Sequence, residues 1–214
     1  MNRRASDDGV GIYGKLPSKR DYVALHVGAP VLAVIEDWLQ AGVAASKRQM
    51  GERWQDAFLT MPLWRFWLGE QVAGTWCVGS LMPSMDGVGR YFPLTIVSQG
   101  QPGELMPPPR CDSPEKWFAQ AEARLLSALE SGQRADPIEL IRGLPSARST
   151  LDPWPVGGSR PGRSSFTQSD DDRIEAQKRT YWWTNGGERF GARYKCRVGM
   201  PDPGCYVNLM TGEV

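Results

Sequence analysis

The sequence predicts an α+β fold in which a central, mainly antiparallel sheet is flanked by helices. One long helical period comes early in the chain, several short strands follow it, and helices and one late strand-like run come after them. Strands and helices therefore do not alternate regularly, as they would in a parallel sheet with crossover helices. With 214 residues the chain is long enough to bury a substantial core.

The first predicted elements are a strand at residues 10–13 and a long helix that begins at Pro30. Proline suits the first turn of a helix, and apolar residues recur after it at helical spacing. Two cations in the last turn and a glycine after it, Gly51, are typical of a helix end. A second, short helix is predicted at residues 52–59.

Three strands are predicted next, at residues 63–68, 76–81 and 91–98, because these runs are rich in Trp, Phe, Val and Ile and are separated by glycine-containing loops. Pro93 lacks a backbone donor, so we expect it at a sheet edge or a bulge. The alternation of Trp and Phe with Arg65 would suit an RNA-reading sheet, but no RNA-binding signature accompanies it, and a core strand is the better interpretation.

Two further helices are predicted from their first residues. Ser113 and Asp136 have the side chains preferred at helix N-caps, and each is followed by a proline. Later in the chain, residues 181–183 indicate a strand, and residues 205–210 indicate a last strand or a short helix.

Residues 145–169 differ in composition from the rest of the chain, because Pro, Gly and Ser occupy 13 of these 25 positions. Three aspartates follow at 170–172. Such a segment has little to bury, so we predict a flexible loop over residues 145–180. We expect it to lie within a single domain that spans residues 1–214.

The overall charge excludes some classes of partner. Lys and Arg total 25 and Asp and Glu total 24, which gives a net charge of +1. This balance argues against binding to nucleic acid or to an anionic membrane through bulk charge. We expect no membrane insertion, since no run approaches the 18 apolar residues of a spanning helix, and no apolar signal-peptide region follows the first residues.

Common catalytic and metal-binding patterns are missing or incomplete. Residues 9–15 fit a phosphate-binding G-x-x-x-x-G-K pattern, but Leu16 replaces the hydroxyl residue that would bind Mg²⁺. His26 is the one histidine, and the four cysteines contain no CxxC pair, so the usual zinc sets are excluded. We therefore expect no catalytic, cofactor-binding or metal-binding residues.

Two segments carry more charge than a structural turn needs. Residues 14–21 place three cations and an aspartate around a Pro-Ser turn, and in residues 82–93 Asp86 and Arg90 lie four apart across two glycines. The second loop allows two interpretations. Its N–H groups could form an anion-binding nest beside Arg90, or Asp86 and Arg90 could pair locally in a tight strand connection.

Both segments lie at ends of predicted strands, where loops converge on one edge of a sheet. We therefore predict that they form one functional patch. If the patch is a surface rather than a structural turn, replacing Lys15 or Arg90 should leave stability nearly unchanged. The candidate interaction residues are Lys15, Ser18, Asp21, Ser84, Asp86, Gly89 and Arg90.

The two charged segments also carry a resemblance. Residues 11–23 (Gly-Ile-Tyr-Gly-Lys-Leu-Pro-Ser-Lys-Arg-Asp-Tyr-Val), 62–66 (Pro-Leu-Trp-Arg-Phe) and 82–94 (Met-Pro-Ser-Met-Asp-Gly-Val-Gly-Arg-Tyr-Phe-Pro-Leu) resemble the TagF family of type VI secretion-associated proteins. The match is good over residues 10–98 and weaker to 143. Near the end, Tyr-Trp-Trp-Thr at 181–184 and Gly-Met-Pro at 199–201 resemble later parts of the family.

The resemblance implies a cytoplasmic accessory protein of a Gram-negative type VI secretion system. Members of the family repress secretion after translation, partly through a scaffold protein with a forkhead-associated domain, and no catalytic residues are established for them. The sequence is thus interpreted as a regulatory binding protein, with a sheet arrangement that is longin- or profilin-like. Two alternatives remain: an anion or phosphate-ligand sensor or enzyme that uses the 87–90 loop, and a structural part of the apparatus.

Overall fold

The computed structural model describes residues 9–110, 112–151 and 174–213. Seven strands form one sheet within these residues: β1 (Val10–Gly14), β2 (Val23–Leu25), β3 (Trp64–Leu68), β4 (Cys77–Met82), β5 (Leu94–Gln99), β6 (Arg179–Gly186) and β7 (Gly191–Val198). Their order is β2-β1-β5-β4-β3-β6-β7, and every neighbouring pair is antiparallel. The predicted α+β class is confirmed, while the longin- or profilin-like refinement stays a prediction.

Helices cover both faces of the sheet. They are α1 (Ala29–Met50), α2 (Trp54–Leu59), α3 (Glu70–Ala73), α4 (Glu115–Ser131), α5 (Pro137–Ile141) and α6 (Val207–Thr211). Side chains of α1, α2 and α6 form one core with the sheet, and side chains of α4 and α5 form a second core on the opposite face. Strands β1, β3, β4 and β5 are buried on both faces, which explains why they read as nearly continuous apolar runs.

The long helix is close to its prediction. Pro30 lies in the first turn of α1, and Gly51 ends the helix with a positive φ of 56° and an N–H that donates to the Lys47 carbonyl. Asp136 also caps α5 as predicted, since its Oδ1 accepts a bond from the Ile138 N–H at 2.9 Å. Ser113 is not a cap, because α4 begins two residues later, after Pro114.

The strand order of the sheet explains two further differences from the prediction. Strand β5 is an interior strand, between β1 and β4, so Pro93 does not lie at a sheet edge; the strand starts after Pro93, which is thus outside the ladder. Strands β2 and β7 were not predicted. They are the two edges of the sheet, where fewer side chains are buried.

The predicted loop at 145–180 is ordered at both of its described ends. Residues Ala147–Thr150 form a 3₁₀ turn, and the buried Ala147 donates its N–H to Ser98 Oγ at 2.9 Å. At the other end, Ala176 is buried and β6 has begun by Arg179. Residues 152–173 lie outside the described residues. Because β6 and β7 extend the same sheet, we propose that residues 1–214 form one domain.

Among the described residues, no helix is long and apolar enough to cross a membrane.

Alternation along β3 explains its unusual mixture of aromatic and basic residues. Phe66 faces the α1 side of the sheet, whereas Arg65 faces the α4 side and is almost fully buried. There Arg65 binds both oxygens of Glu122, with Nη2–Oε2 at 2.9 Å, and lies over the Phe118 ring. A third bond joins its Nη1 to Glu115 at 2.7 Å. The core-strand interpretation of this segment is supported, and Arg65 fixes α4 to the sheet.

We predict that Arg65→Ala lowers the free energy of unfolding by about 3 kcal/mol, because it leaves the half-buried Glu122 without its cation. Adding Glu122→Gln should recover part of that loss. The matched control is Arg124→Ala on the exposed side of α4, with an expected change within about 0.5 kcal/mol in urea unfolding. An Arg65 variant as stable as the control would contradict this role.

Candidate functional site

The two charged segments meet at one end of the sheet, as predicted. The turn after β1 lies against the loop between β4 and β5, and Lys15 N–H donates to the Pro93 carbonyl at 3.2 Å. Gly87 N–H donates to the Lys19 carbonyl at 2.7 Å. Gly14 permits this approach, since its φ is 130° and a Cβ there would lie 2.0 Å from the Pro93 oxygen. We call residues 14–22 and 84–92 together the Asp86 corner.

At the centre of this corner the Asp86 carboxylate is fully buried and bonded on both oxygens. Its Oδ2 accepts from Lys15 Nζ at 2.8 Å and from Arg90 Nε at 2.7 Å. Its Oδ1 accepts from the backbone N–H groups of Val88 at 3.1 Å and Arg90 at 2.9 Å. The guanidinium of Arg90 also donates to the Arg20 carbonyl, so this one network holds both segments.

Burial by itself disfavours the charged form of Asp86. The hydrogen bonds from Lys15, from the N–H and guanidinium of Arg90 and from the Val88 N–H outweigh that cost and hold the pKa of Asp86 well below its usual range. Asp86 is therefore ionised at neutral pH, and the buried Lys15 provides the matching charge. Removing one member of such a buried pair is costly because the other charge stays buried.

The nest interpretation of the loop is corrected by this geometry. The anion held by the N–H groups of Val88 and Arg90 is the loop's own Asp86 carboxylate, and Gly89 N–H is bonded to the Asp86 carbonyl. With Gly87 N–H on Lys19, each of these loop donors is already engaged. The local pairing of Asp86 and Arg90 is the alternative that the geometry supports.

The predicted interaction residues separate into buried and exposed groups. Lys15, Ser84 and Asp86 are buried and cannot touch a partner directly. Ser18 is half-buried and donates from Oγ to the Ala135 carbonyl. At the rim are Asp21, Gly89 and Arg90, and the Arg90 side chain is 58% exposed.

Sequence reasoning missed the aromatic part of this corner. Tyr22 is 43% exposed, stacks on Tyr13 with ring centres 6.1 Å apart, and meets Phe92 edge-on at 5.0 Å. Lys15 Nζ lies 5.0 Å from the centre of the Tyr22 ring. Val88 is also exposed, at 57%. The signal for Tyr22 was its place directly after the charged turn, where an apolar side chain had no predicted strand to join.

Within the part of the chain that the structure describes, the remaining candidates do not form a second site. Strand β1 runs through the G-x-x-x-x-G-K pattern and Lys15 is bound to Asp86, so this segment does not have the geometry of a phosphate-binding loop. His26 is exposed, has a φ of 58° and lines an open cavity of about 380 Å³ beside the start of α1. Within the described ranges, no group of three His, Cys, Asp or Glu side chains could hold a metal. Residues 170–172 lie outside those ranges.

Comparison with known proteins finds a matching family model and a solved structure of similar fold. The family model described as the TagF N-terminal domain, type VI secretion system-associated, matches residues 11–141, which include the whole Asp86 corner. The crystal structure of PA0076 from Pseudomonas aeruginosa PAO1 is similar in fold, with a TM-score of 0.77 and 28% sequence identity over 96% of this chain and 95% of that chain. The similarity therefore extends through β6, β7 and α6. No curated protein matches the chain.

We predict that Lys15→Met lowers the free energy of unfolding by about 3 kcal/mol, because Asp86 then keeps a single cationic partner in a buried position. This reverses the expectation from sequence that Lys15 can be replaced without loss of stability. The matched control is Lys19→Met, an exposed cation in the same turn, with an expected change within about 0.5 kcal/mol. Equal urea midpoints for the two variants would show that the pair is not structural.

The lowered pKa of Asp86 also predicts how stability depends on pH. The contribution of this carboxylate is fully present above its unfolded pKa of about 3.9 and is lost as the pH falls below that value. The difference in unfolding free energy between the natural chain and Asp86→Asn should therefore narrow between pH 5 and pH 2. The exposed control Asp21→Asn should change stability little, and a constant gap for Asp86→Asn would contradict the prediction.

Proposed function

Because this chain belongs to the TagF family of type VI secretion system-associated proteins, we propose that it represses type VI secretion after translation through protein–protein contacts. The proposal includes action in the cytoplasm, no enzymatic reaction, and a partner within the secretion apparatus. The partner we propose is the scaffold protein with a forkhead-associated domain that the family resemblance implies.

The observation that carries the proposal is the construction of the Asp86 corner. Its buried charges are bonded to one another, which supports a role in holding the shape of the corner. Together with the backbone hydrogen bonds between the two loops, they hold the loops in one arrangement. A rigid pair of loops can bind a partner with less loss of conformational freedom.

The exposed side chains of the corner have the chemistry of a protein interface. Tyr22, Val88 and Arg90 lie at its rim, and Tyr and Arg are enriched among the residues that contribute most to binding energy. The guanidinium of Arg90 is held by Asp86 and by the Arg20 carbonyl, so its position is preorganised. The rim thus offers a fixed cation, Arg90, together with the exposed side chains of Tyr22 and Val88.

We predict that overproducing the chain in its native host lowers type VI secretion, and that Val88→Glu or Tyr22→Ala restores it. Losing a central anchor typically costs about 2 kcal/mol, or roughly a thirtyfold loss of affinity. Capture of the forkhead-associated scaffold by purified protein should weaken accordingly. The measurements are the amount of a secreted effector in the medium and the scaffold recovered with the tagged protein.

The matched control is Leu129→Glu, which places the same charge at an exposed apolar position on α4. It should repress like the natural chain. If Val88→Glu also represses normally, the corner is not the binding surface. If the natural chain does not lower secretion, the repressor function itself is wrong, and loss of secretion on deletion of the gene would instead indicate a structural part.

A further inference from the structure

The edge of the sheet formed by β7 differs from the edge formed by β2. Among the described residues, β7 is the last strand in the sheet order and pairs on one side only, with β6. It is 8 residues long, whereas the other edge strand, β2, has 3. A long edge strand presents unpaired backbone groups to which another extended chain can bind.

Hydrogen bonds along β6 show which backbone groups of β7 face outward. The Arg179 carbonyl accepts from Gly69 on the β3 side, and the Lys178 carbonyl accepts from Gly199 on the β7 side. Backbone groups of successive residues point to opposite sides of a strand. Through the β6–β7 register, the backbone groups of Cys196 and Val198 therefore point away from β6.

Three cations occupy alternate positions of this strand, at Arg193, Lys195 and Arg197, and the strand contains no acidic residue. Alternation places all three on one face. Two of them fold back onto the edge itself, since Arg193 Nη1 donates to the Ala192 carbonyl and Arg197 Nη1 to the Cys196 carbonyl, both at 3.0 Å. The two guanidinium groups thus cover the Ala192 and Cys196 carbonyls, which no described strand pairs with on this edge.

Arg193 and Lys195 also donate to backbone carbonyls near the end of the described chain, and Arg193 lies over the Phe190 ring. Arg193 Nε donates to the Gly212 carbonyl at 2.8 Å, and Lys195 Nζ donates to the Glu213 carbonyl at 2.6 Å. Burial, and then repulsion from Arg197 and Arg193, lowers the pKa of Lys195. Cys205 and Glu213 act in the opposite direction, but the pKa remains lowered. The three cations therefore repel one another, and a bound carboxylate would relieve that repulsion.

We propose that the outer edge of β7 binds an extended, acidic segment of a partner protein as an eighth strand of the sheet. The incoming strand takes over the hydrogen bonds of the Cys196 carbonyl, and the displaced Arg197 guanidinium binds a carboxylate of that strand. Cross-strand pairs of opposite charge are favourable, whereas like charges directly opposite are unfavourable. This site is separate from the Asp86 corner and does not depend on the proposed repression of secretion.

The same charges argue against a second copy of this chain as the occupant. Antiparallel pairing of two β7 strands centred on Lys195 would place the Arg193 and Arg197 of each copy opposite cations of the other. Such pairing is destabilising. The edge is therefore suited to a strand of the opposite charge.

The test uses the full chain and a fluorescent ten-residue peptide in which Glu and Val alternate. Anisotropy should show saturable binding, which is weaker at high salt. A Glu-Pro peptide has the same charge but cannot pair as a strand, and it should bind at least about tenfold more weakly. Bound Glu-Val peptide should also slow hydrogen exchange at the Cys196 and Val198 amides.

Two variants test the chain side of the contact. The first is Arg197→Glu, which removes a guanidinium that bonds, within the described residues, to its own strand. The second combines this change with Arg193→Glu. Each variant should weaken binding of the Glu-Val peptide about tenfold or more. The single variant keeps the Arg193–Gly212 contact, so it is interpretable even if the double variant is destabilised. Lys116→Glu, an exposed cation in the first turn of α4, is the control and should bind normally.

Several results would overturn the proposal. They are no binding of the Glu-Val peptide, equal binding of the Glu-Pro peptide, unchanged binding to Arg197→Glu, or no protection of the two amides. If the Glu-Val peptide does not bind, or binds Arg197→Glu as well as the natural chain, and Arg197→Glu also self-associates, the arginines only protect the β7 edge from pairing with other strands. Because no secretion is measured, each result stands whether or not the chain represses secretion.

Discussion

The carboxylate of Asp86 lies where water cannot reach it, so the protein must supply every bond that its charge requires. It obtains them from a lysine at the end of one strand and from the backbone and guanidinium of its own loop. Because these donors come from separate parts of the chain, the corner forms only when β1, β4 and β5 are in register. The shape of the exposed rim at Tyr22 and Arg90 is thus a consequence of sheet pairing.

A second buried ion pair serves a similar purpose on the α4 face. Arg65 faces the carboxylates of α4 from the middle of a strand, and its geometry to Glu122 is bidentate. An apolar residue at this position would allow α4 to rotate or slide over the sheet, whereas the planar guanidinium fixes both angle and position. Both networks use charge to select one arrangement of elements that hydrophobic burial alone would leave free.

The sequence predicted best those features that depend on neighbours along the chain. The period of α1, the Asp136 cap and the central strands follow from local patterns, and the meeting of the two charged segments follows from their places at strand ends. The role of Asp86 could not be decided from sequence. A loop that binds an external anion and a loop that binds its own carboxylate need the same residues. Strand β7 was missed since its alternating cations do not resemble a buried strand. Tyr22 was missed because its packing against Tyr13 and Phe92 depends on how the turn after β1 meets the loop between β4 and β5.

The pairing of β3 with β6 has a consequence for synthesis on the ribosome. When the first five strands have emerged, β3 is the outer strand of the nascent sheet, and its partner Thr180–Trp183 begins 81 residues after the end of β5 at Gln99. During that interval an aromatic-rich edge is open to unwanted pairing, which is a general hazard of incomplete sheets. Arg65 is part of this strand, and α4, which carries its partners Glu115 and Glu122, is made before β6. The ion pairs of Arg65 can therefore form, and bring α4 onto the α4-facing side of β3, while the outer edge of that strand is still open.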